Sequence, residues 1–398
     1  MNRRVGGLLT LLSVAAVACA PFSSAGSGDS AGAGDDGEVV TVEQVAASPR
    51  EDTVSALENP TADGLPTPLI DPSDLLAGGP PPDGIPAVDD PKFVRASTAT
   101  FLEDDEPVLA IEVDGEARAY PIQIMTWHEI VNDTVAGRPV TVSYCPLCNS
   151  AIAYVRQLGD RVLDFGTSGT LYQSALVMYD RQTQSLWSHF TGQAVIGTLT
   201  GTQLELIPMS TVSWADWRKA NPDGLVLSRD TGYDRDYGDN PYPGYDDVED
   251  QPFLFKGEVD GRLAAKERVV GIRRGNDAVA IRTTKLFKRR VTEIEIGGAP
   301  VVVWLARGTA SALDESSVAT GRDVGATGAF DPTVDGRHLT FESRKHGFRD
   351  RETGSTWDVL GNASAGPLAG SKLTAVEHVD TFWFAWAAFL PDTRIVKI

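Results

Sequence analysis

Apolar residues are distributed along this chain in three ways, and each way predicts a different kind of element. Residues 5–18 form one unbroken run of small and aliphatic side chains behind Asn2-Arg3-Arg4. At about 14 residues the run is too short to cross a bilayer as a stable helix, but it suits the core of a signal peptide. No later apolar stretch is long enough to span a membrane. Between 20 and 91 the pattern dissolves: residues 21–34 are mostly Ser, Gly and Ala, Asp35, Asp36 and Glu38 follow, and Pro80-Pro81-Pro82-Asp83-Gly84 comes later. Such a composition buries too little apolar surface to offset the entropy of ordering, so a disordered tether is predicted, with a short helix over 39–47 as its only periodic piece. Beyond 92, β-branched runs such as Val108-Leu109-Ala110-Ile111 and Val140-Thr141-Val142-Ser143-Tyr144 read as strands. Residues 121–132 and 212–220 read as helices, the second carrying Trp214 and Trp217 on one face, where core packing is the expected role.

The strand pattern occurs twice. Asp180-Arg181-Gln182-Thr183-Gln184-Ser185-Leu186-Trp187 matches Asp350-Arg351-Glu352-Thr353-Gly354-Ser355-Thr356-Trp357, and Gly197, Leu199, Gly201 and Leu204 match Gly366, Leu368, Gly370 and Leu373. Trp214, Trp217 and Pro222-Asp223 match Trp383, Trp386 and Pro391-Asp392. Upstream, Val108–Ile111 faces 269–272 and Gly137-Arg138-Pro139-Val140 faces Gly298-Ala299-Pro300-Val301 at a constant offset. The expected architecture is therefore α+β and strand-rich, with two degenerate internal repeats packed as one pseudo-symmetric body. The segments are a signal peptide at 1–19, a tether at 20–91, repeat 1 at 92–225, a Tyr- and Asp-rich inter-repeat loop at 226–261 and repeat 2 at 262–398. Tyr233, Tyr237, Tyr242 and Tyr245 mark that loop as one that packs across the body or lines a cleft.

Composition narrows the partners. A chain of 398 residues with 42% hydrophobic positions can bury a sizeable core. A formal charge of −20 excludes nucleic acid as an expected partner, because a phosphate backbone calls for Lys and Arg.

Three cysteines carry the candidate chemistry. Cys19 follows Ala16-Val17-Ala18, a lipobox-like ending that predicts a lipid anchor there and an extracytoplasmic, membrane-tethered protein; ordinary signal cleavage after Ala18 is the alternative. Cys145-Pro146-Leu147-Cys148 follows a strand and precedes 151–154, read as helical, so the first sulfur is expected near backbone N–H groups that favour thiolate. At the constant offset Cys145 faces Ala306, Cys148 faces Thr309 and His128 faces Arg289, so the repeated scaffold does not need the thiols. The pair is open to three chemistries: a structural disulfide, a redox-active dithiol, or a soft-metal site. For the metal, copper or zinc, the expected ligands are Cys145, Cys148 and His128, with Glu129, Met125, Met178 and His189 as candidates around them. His338, His346 and His378 scatter without ligand spacing. The stretch from Gly166 to Gln173 reads as a turn or site wall; it lacks a phosphate-loop ending, and Ser168 lies in no nucleophile elbow.

At His128-Glu129-Ile130-Val131-Asn132-Asp133, Tyr144-Cys145-Pro146-Leu147-Cys148, the segment from Phe165-Gly166 to Tyr172, Met178-Tyr179-Asp180-Arg181, Leu186-Trp187 and the block from Asp230 to Tyr245, the chain resembles the domain of unknown function 3179 family of exported bacterial and archaeal proteins. The resemblance covers roughly 90–398 and implies no particular activity. His189 stands where the family carries Gln, so the resemblance gives it no role. The function expected from the residues is soft-metal binding, with thiol–disulfide exchange at the same pair, or a cell-surface binding module with a structural disulfide, as alternatives.

Overall fold

The computed structural model describes residues 37–398. The signal-peptide and Cys19 expectations, and the tether as far as residue 36, lie outside the described residues. Strand accounts for 39% and helix for 9%, in four helices, which makes the chain a strand-rich α+β protein. Among the described residues no helix is long and apolar enough to cross a membrane.

Three sheets and a short two-stranded hairpin, Gln157–Leu158 with Arg161–Val162, build the first half. One joins Pro107–Val113, Glu116–Pro121, Met209–Ser213 and Leu225–Leu227, extended by Lys92–Arg95 and Val39–Thr41. A second joins Ile130–Val135, Arg138–Cys145, Ser150–Val155 and Glu205–Ile207. The third joins Phe165–Tyr172, Ala175–Asp180, Leu186–Ser188 and Ala194–Ile196, edged by Leu76–Ala77. Helix α1 (Ile122–His128) links the first two sheets and α2 (Trp214–Ala220) follows the last long strand of the first. Trp214 and Trp217 are buried and stacked at 5.6 Å, as core residues.

In the second half, Arg268–Arg274, Asp277–Arg282, α3 (Thr283–Arg289), Val291–Ile296 and Ala299–Ala306 run in the same order as Pro107–Val113 through Arg138–Cys145, and α4 (Trp383–Phe389) stands where α2 stands. The parallel pair Leu225–Leu227 with Glu116–Pro121 has its counterpart in Arg394–Ile395 with Asp277–Arg282. The phrase found twice has one structural job. Asp180 accepts from Thr183 N (2.6 Å) and Trp187 Nε1 (2.8 Å), and Asp350 accepts from Thr353 N (2.6 Å) and Trp357 Nε1 (2.9 Å).

Five local expectations change. Residues 37–91 are not a loose tether: Leu57 N–H donates to Gln184 O, Leu69 N–H to Val195 O, Asp83 N–H to Thr167 O and Val88 N–H to Ile130 O. Ala56 is fully buried, and Leu57, Leu65, Ile70 and Leu75 pack with Val177, Leu186 and Ile196. The segment finds its apolar surface on the body rather than within itself, which composition does not reveal. Its 39–47 piece contains a strand, Val39–Thr41, rather than a helix, because it pairs with Lys92–Arg95. The helix expected over 121–132 stops at His128, where Glu129 turns left-handed (φ 60) and the chain enters a strand. Residues 151–154 lie in a strand, and the stretch from Gly166 lies largely within the strand Phe165–Tyr172; a Cβ at Gly166 would meet Asp83 Oδ1 at 2.3 Å, so the glycine admits the 77–83 segment.

Candidate dithiol site

The cysteines sit on a β-hairpin, not at a strand-to-helix junction. Arg138–Cys145 pairs with Ser150–Val155 with Cys145 opposite Ser150 and Ser143 opposite Ile152. The turn between them has Asn149 N–H donating to Pro146 O (3.2 Å) and Asn149 at φ 49, a conformation that Asn tolerates better than most residues. Because strand side chains alternate, Ser143, Cys145 and Ser150 share one face. The turn after Cys145 leads into a strand, so the motif does not open a helix whose N-terminus would favour the thiolate, as the sequence had suggested. Burial instead pushes the Cys145 thiol well up, the Cys148 thiol beside it acting the same way and His189 opposing both. Both cysteines are buried and free, near each other but not bonded.

His189 is the histidine that reaches them. Its Nδ1 lies 2.7 Å from Ser143 Oγ and its Nε2 2.9 Å from Ser150 Oγ, which lies 2.9 Å from Cys148 Sγ. The direction of this chain follows from its far end. Ser143 Oγ is 3.0 Å from Ile152 O, a carbonyl that only accepts, so Ser143 donates to it and accepts from His189 Nδ1–H. The Nε2 lone pair then accepts from Ser150, and Ser150 Oγ accepts from the Cys148 S–H. All four side chains are buried, and burial lowers the His189 pKa, which keeps the imidazole neutral with a free lone pair for this role.

The Tyr-rich loop roofs the pair. Tyr245 OH donates to Leu147 O (3.0 Å), inside the Cys-x-x-Cys turn, and Ser174 Oγ donates to Phe253 O (2.5 Å). Ser174 O lies 3.8 Å from Cys145 Sγ. Asp246 ties the loop to the second half by pairing with Arg268 (2.8 Å) and Arg322. The second half also holds the turn directly, through Thr381 Oγ1 and Phe382 N–H on Cys148 O at 2.8 and 3.1 Å. Where the first half places Ser143 on this face, the second has Trp304, stacked on Phe348 at 4.3 Å, with Ala306 in the place of Cys145. The corresponding strand positions thus carry an aromatic pair in the second half and a serine and a thiol in the first.

The structure separates the other predicted residues from the pair to differing degrees. His128 has both nitrogens engaged elsewhere: Nδ1–H donates to Pro86 O (2.7 Å) and Nε2 accepts from Tyr237 OH (2.5 Å), which is 2.5 Å from Thr231 Oγ1. Its role is to clamp the loop and the 37–91 segment onto the end of α1. Met178 packs in the same core cluster as both thiols, and Met125 in a different one. Glu129 is buried, and burial lifts its pKa well above the carboxylate range, with Cys145 adding to the effect. Among the described residues no three or more His, Cys, Asp and Glu side chains form a group that could hold a metal ion. Ser143, Ser150 and Ser174 are site residues that sequence reasoning missed; the placement of Ser143 and Ser150 symmetrically about the pair was the available signal, legible only once a hairpin is assumed.

The His128 clamp has a pH consequence. Burial lowers its pKa to about 4, against about 6.5 for the unfolded chain. A lowered histidine stabilises the fold fully above the unfolded value. As the pH falls from about 6.5 toward 4 the unfolded state takes up a proton that the folded state refuses, and roughly 3 kcal/mol is lost. In urea titrations at pH 7 and pH 4, His128→Asn, which keeps a donor for Pro86 O, should lose less stability on acidification than the parent by about that amount. Equal losses would show that His128 does not carry the effect.

Comparison with known proteins gives one assignment. No curated protein and no solved structure matches the chain. The family model described as protein of unknown function (DUF3179) matches residues 82–393, and the chain belongs to that family.

Proposed function

We propose that this chain is a thiol–disulfide oxidoreductase in which Cys145 and Cys148 alternate between a dithiol and an internal disulfide, with Cys148 the attacking sulfur. The directed hydrogen-bond chain from Cys148 through Ser150 to the His189 lone pair carries this reading, since it gives one sulfur, and not the other, a base. The Cys148 proton passes through Ser150 to His189 as the sulfur attacks a substrate disulfide. The substrate S–S bond breaks, and the departing sulfur takes the proton back from His189. Cys145 then attacks the Cys148 sulfur, loses its own proton, and displaces the second substrate sulfur as a thiol. One substrate disulfide becomes two thiols and the protein's two thiols become one disulfide. The roof formed by Tyr242 and Tyr245 has to lift for a substrate to reach Cys148. The two halves, on this view, are degenerate copies of one unit packed pseudo-symmetrically, the second supplying support alone. A lipid anchor at Cys19 would place the site outside the cytoplasm, where disulfide substrates are found.

Equilibration of the purified chain in oxidised and reduced dithiothreitol, with alkylation and mass measurement, tests the reading. An internal disulfide should form at a definable potential and be absent from Cys145→Ser and Cys148→Ser. No disulfide under excess oxidant would overturn it. Tight binding of about one copper(I) or zinc(II) ion per reduced chain, lost in Cys145→Ser, would favour the soft-metal reading instead.

A further inference from the structure

The inter-repeat loop is fixed to the body at two places and has no regular structure between them. Asp246 pairs with Arg268 and Arg322 at one end. At the other, Trp383 Nε1 donates to Asp260 O (2.9 Å) and Arg262 donates to Thr393 O (2.8 Å). Residues 247–257, between these anchors, form neither strand nor helix. This strap closes onto the groups that flank the cysteines. Phe253 N–H donates to Tyr245 OH (3.3 Å), the same phenol that donates to Leu147 O inside the Cys-x-x-Cys turn. Phe253 O accepts from Ser174 Oγ (2.5 Å), and Ser174 O lies 3.8 Å from Cys145 Sγ. Phe253 itself is 55% exposed, so hydrogen bonds to its backbone, not burial of its ring, hold this point down. Leu254 beside it is left-handed (φ 50), a conformation that costs a bulky side chain energy and that lifting the strap would relieve. Gly257 ends the strap at φ 112, with no atom near the place a Cβ would take, and so forms a joint.

Lys256 supplies the outermost tie. Its Nζ donates to Asp74 Oδ1 (2.5 Å) and to Ser73 O (3.1 Å), which joins the strap to the short 3-10 helix Pro72–Asp74 of the 37–91 segment. That segment is itself held by Leu76–Ala77, which pairs with Thr170 and Leu171 on the strand leading to Ser174. We propose that residues 247–257 are a gate over the dithiol, latched by the Lys256–Asp74 ion pair: when the latch opens, the strap leaves Ser174 and Tyr245 and uncovers the sulfurs. The gate takes its purpose from the dithiol reading above, and it adds what lets the roof lift, since the Tyr245 phenol loses the Phe253 N–H that helps hold it over the turn. The ion pair is partly exposed, with 48% of the Lys256 side chain and 34% of the Asp74 side chain open to solvent. Salt therefore screens it, and a pair of this kind is weak enough to break and remake without unfolding the body. The two hydrogen bonds at Phe253 set how often the strap stays down once the latch is open.

The test is the rate at which iodoacetamide modifies Cys145 and Cys148 in the reduced full-length chain at pH 8, without denaturant, read by peptide mass. Lys256→Glu sets two carboxylates against each other and should raise the rate about fivefold in low salt. Adding Asp74→Lys to Lys256→Glu restores the pair with its charges exchanged and should return the rate to that of the parent. Ser174→Ala, which removes the bond to Phe253 O, should raise it about fivefold as well. Raising NaCl to about 0.5 M should speed the parent and not Lys256→Glu. An unchanged rate in Lys256→Glu, or no recovery in the exchanged pair, would overturn the latch. Modification of the parent no faster than its global unfolding, followed by tryptophan fluorescence, would overturn the gate altogether. A chain that gates its thiols in this way, yet forms no internal disulfide under excess oxidant, would keep the gate and overturn the dithiol reading alone.

Discussion

Replacing His189 with Gln should slow the attack of Cys148 on a disulfide by about 10²-fold at pH 7, with the fold intact. The amide can reproduce both hydrogen bonds of the imidazole, its oxygen accepting from Ser150 and its nitrogen donating to Ser143. It cannot take up a proton. The substitution therefore removes the base and keeps the geometry, which Ala would not do. In a Cys145→Ser background, where only the first step is possible, the parent rate should level off once His189 is neutral. The variant's rate should go on rising with pH, because solvent is then the only proton acceptor. Ser150→Ala should resemble His189→Gln, since it cuts the same chain one link earlier. Initial rates with oxidised glutathione across pH 6 to 9 give both the magnitude and the profile. Superimposable profiles for parent and His189→Gln would remove His189 from the chemistry and return it to a core role.

How much of this was legible in the sequence depended on how local the cause was. The Asp–Thr–Trp phrase could be read twice because its hydrogen bonds close within seven residues, and both copies fold alike. Trp214 and Trp217 could be placed in the core because one helical turn sets their spacing. The 37–91 segment misled because its few apolar residues, Ala56, Leu57, Leu65 and Ile70, are spread thinly and gain burial only against strands more than a hundred residues away. The site misled in a related way. His128 lies nearest Cys145 in sequence among the histidines, yet the helix ends on it and directs it to Pro86 and Tyr237. His189 lies just after a strand of another sheet and reaches the cysteine hairpin only through tertiary packing. The reading of 151–154 as helix was the costlier error: a hairpin would have put Ser143, Cys145 and Ser150 on one face at once.

The repeated aspartate supplies the largest expected change in stability. Asp180→Ala removes the acceptor for the Thr183 N–H, the Thr183 hydroxyl and the Trp187 indole N–H, all buried. Asp350→Ala does the same to the half-buried Thr353 and the buried Trp357. Each orphaned buried donor costs about 1–3 kcal/mol, so either variant should lose about 4 kcal/mol in denaturant titrations at pH 7. The two should then diverge in acid. Burial outweighs the donors at Asp180 and raises its pKa, whereas Asp350 is held below the ordinary value by the same kind of donors. A lowered carboxyl stabilises above its unfolded pKa, so the deficit of Asp350→Ala should shrink as the pH falls below about 4. A raised carboxyl stabilises progressively as the pH falls through its folded pKa, so the deficit of Asp180→Ala should grow. Function should separate them as well. Trp187 packs in the cluster that contains Cys145 and Cys148, and Trp357 packs in another. Partial loss of the Trp187 anchor should therefore expose the thiols to alkylation below the unfolding transition, and loss of the Trp357 anchor should not. Equal thiol exposure in both variants would mean that the halves unfold as one cooperative unit and that the dithiol draws no protection of its own from the sheet beneath it.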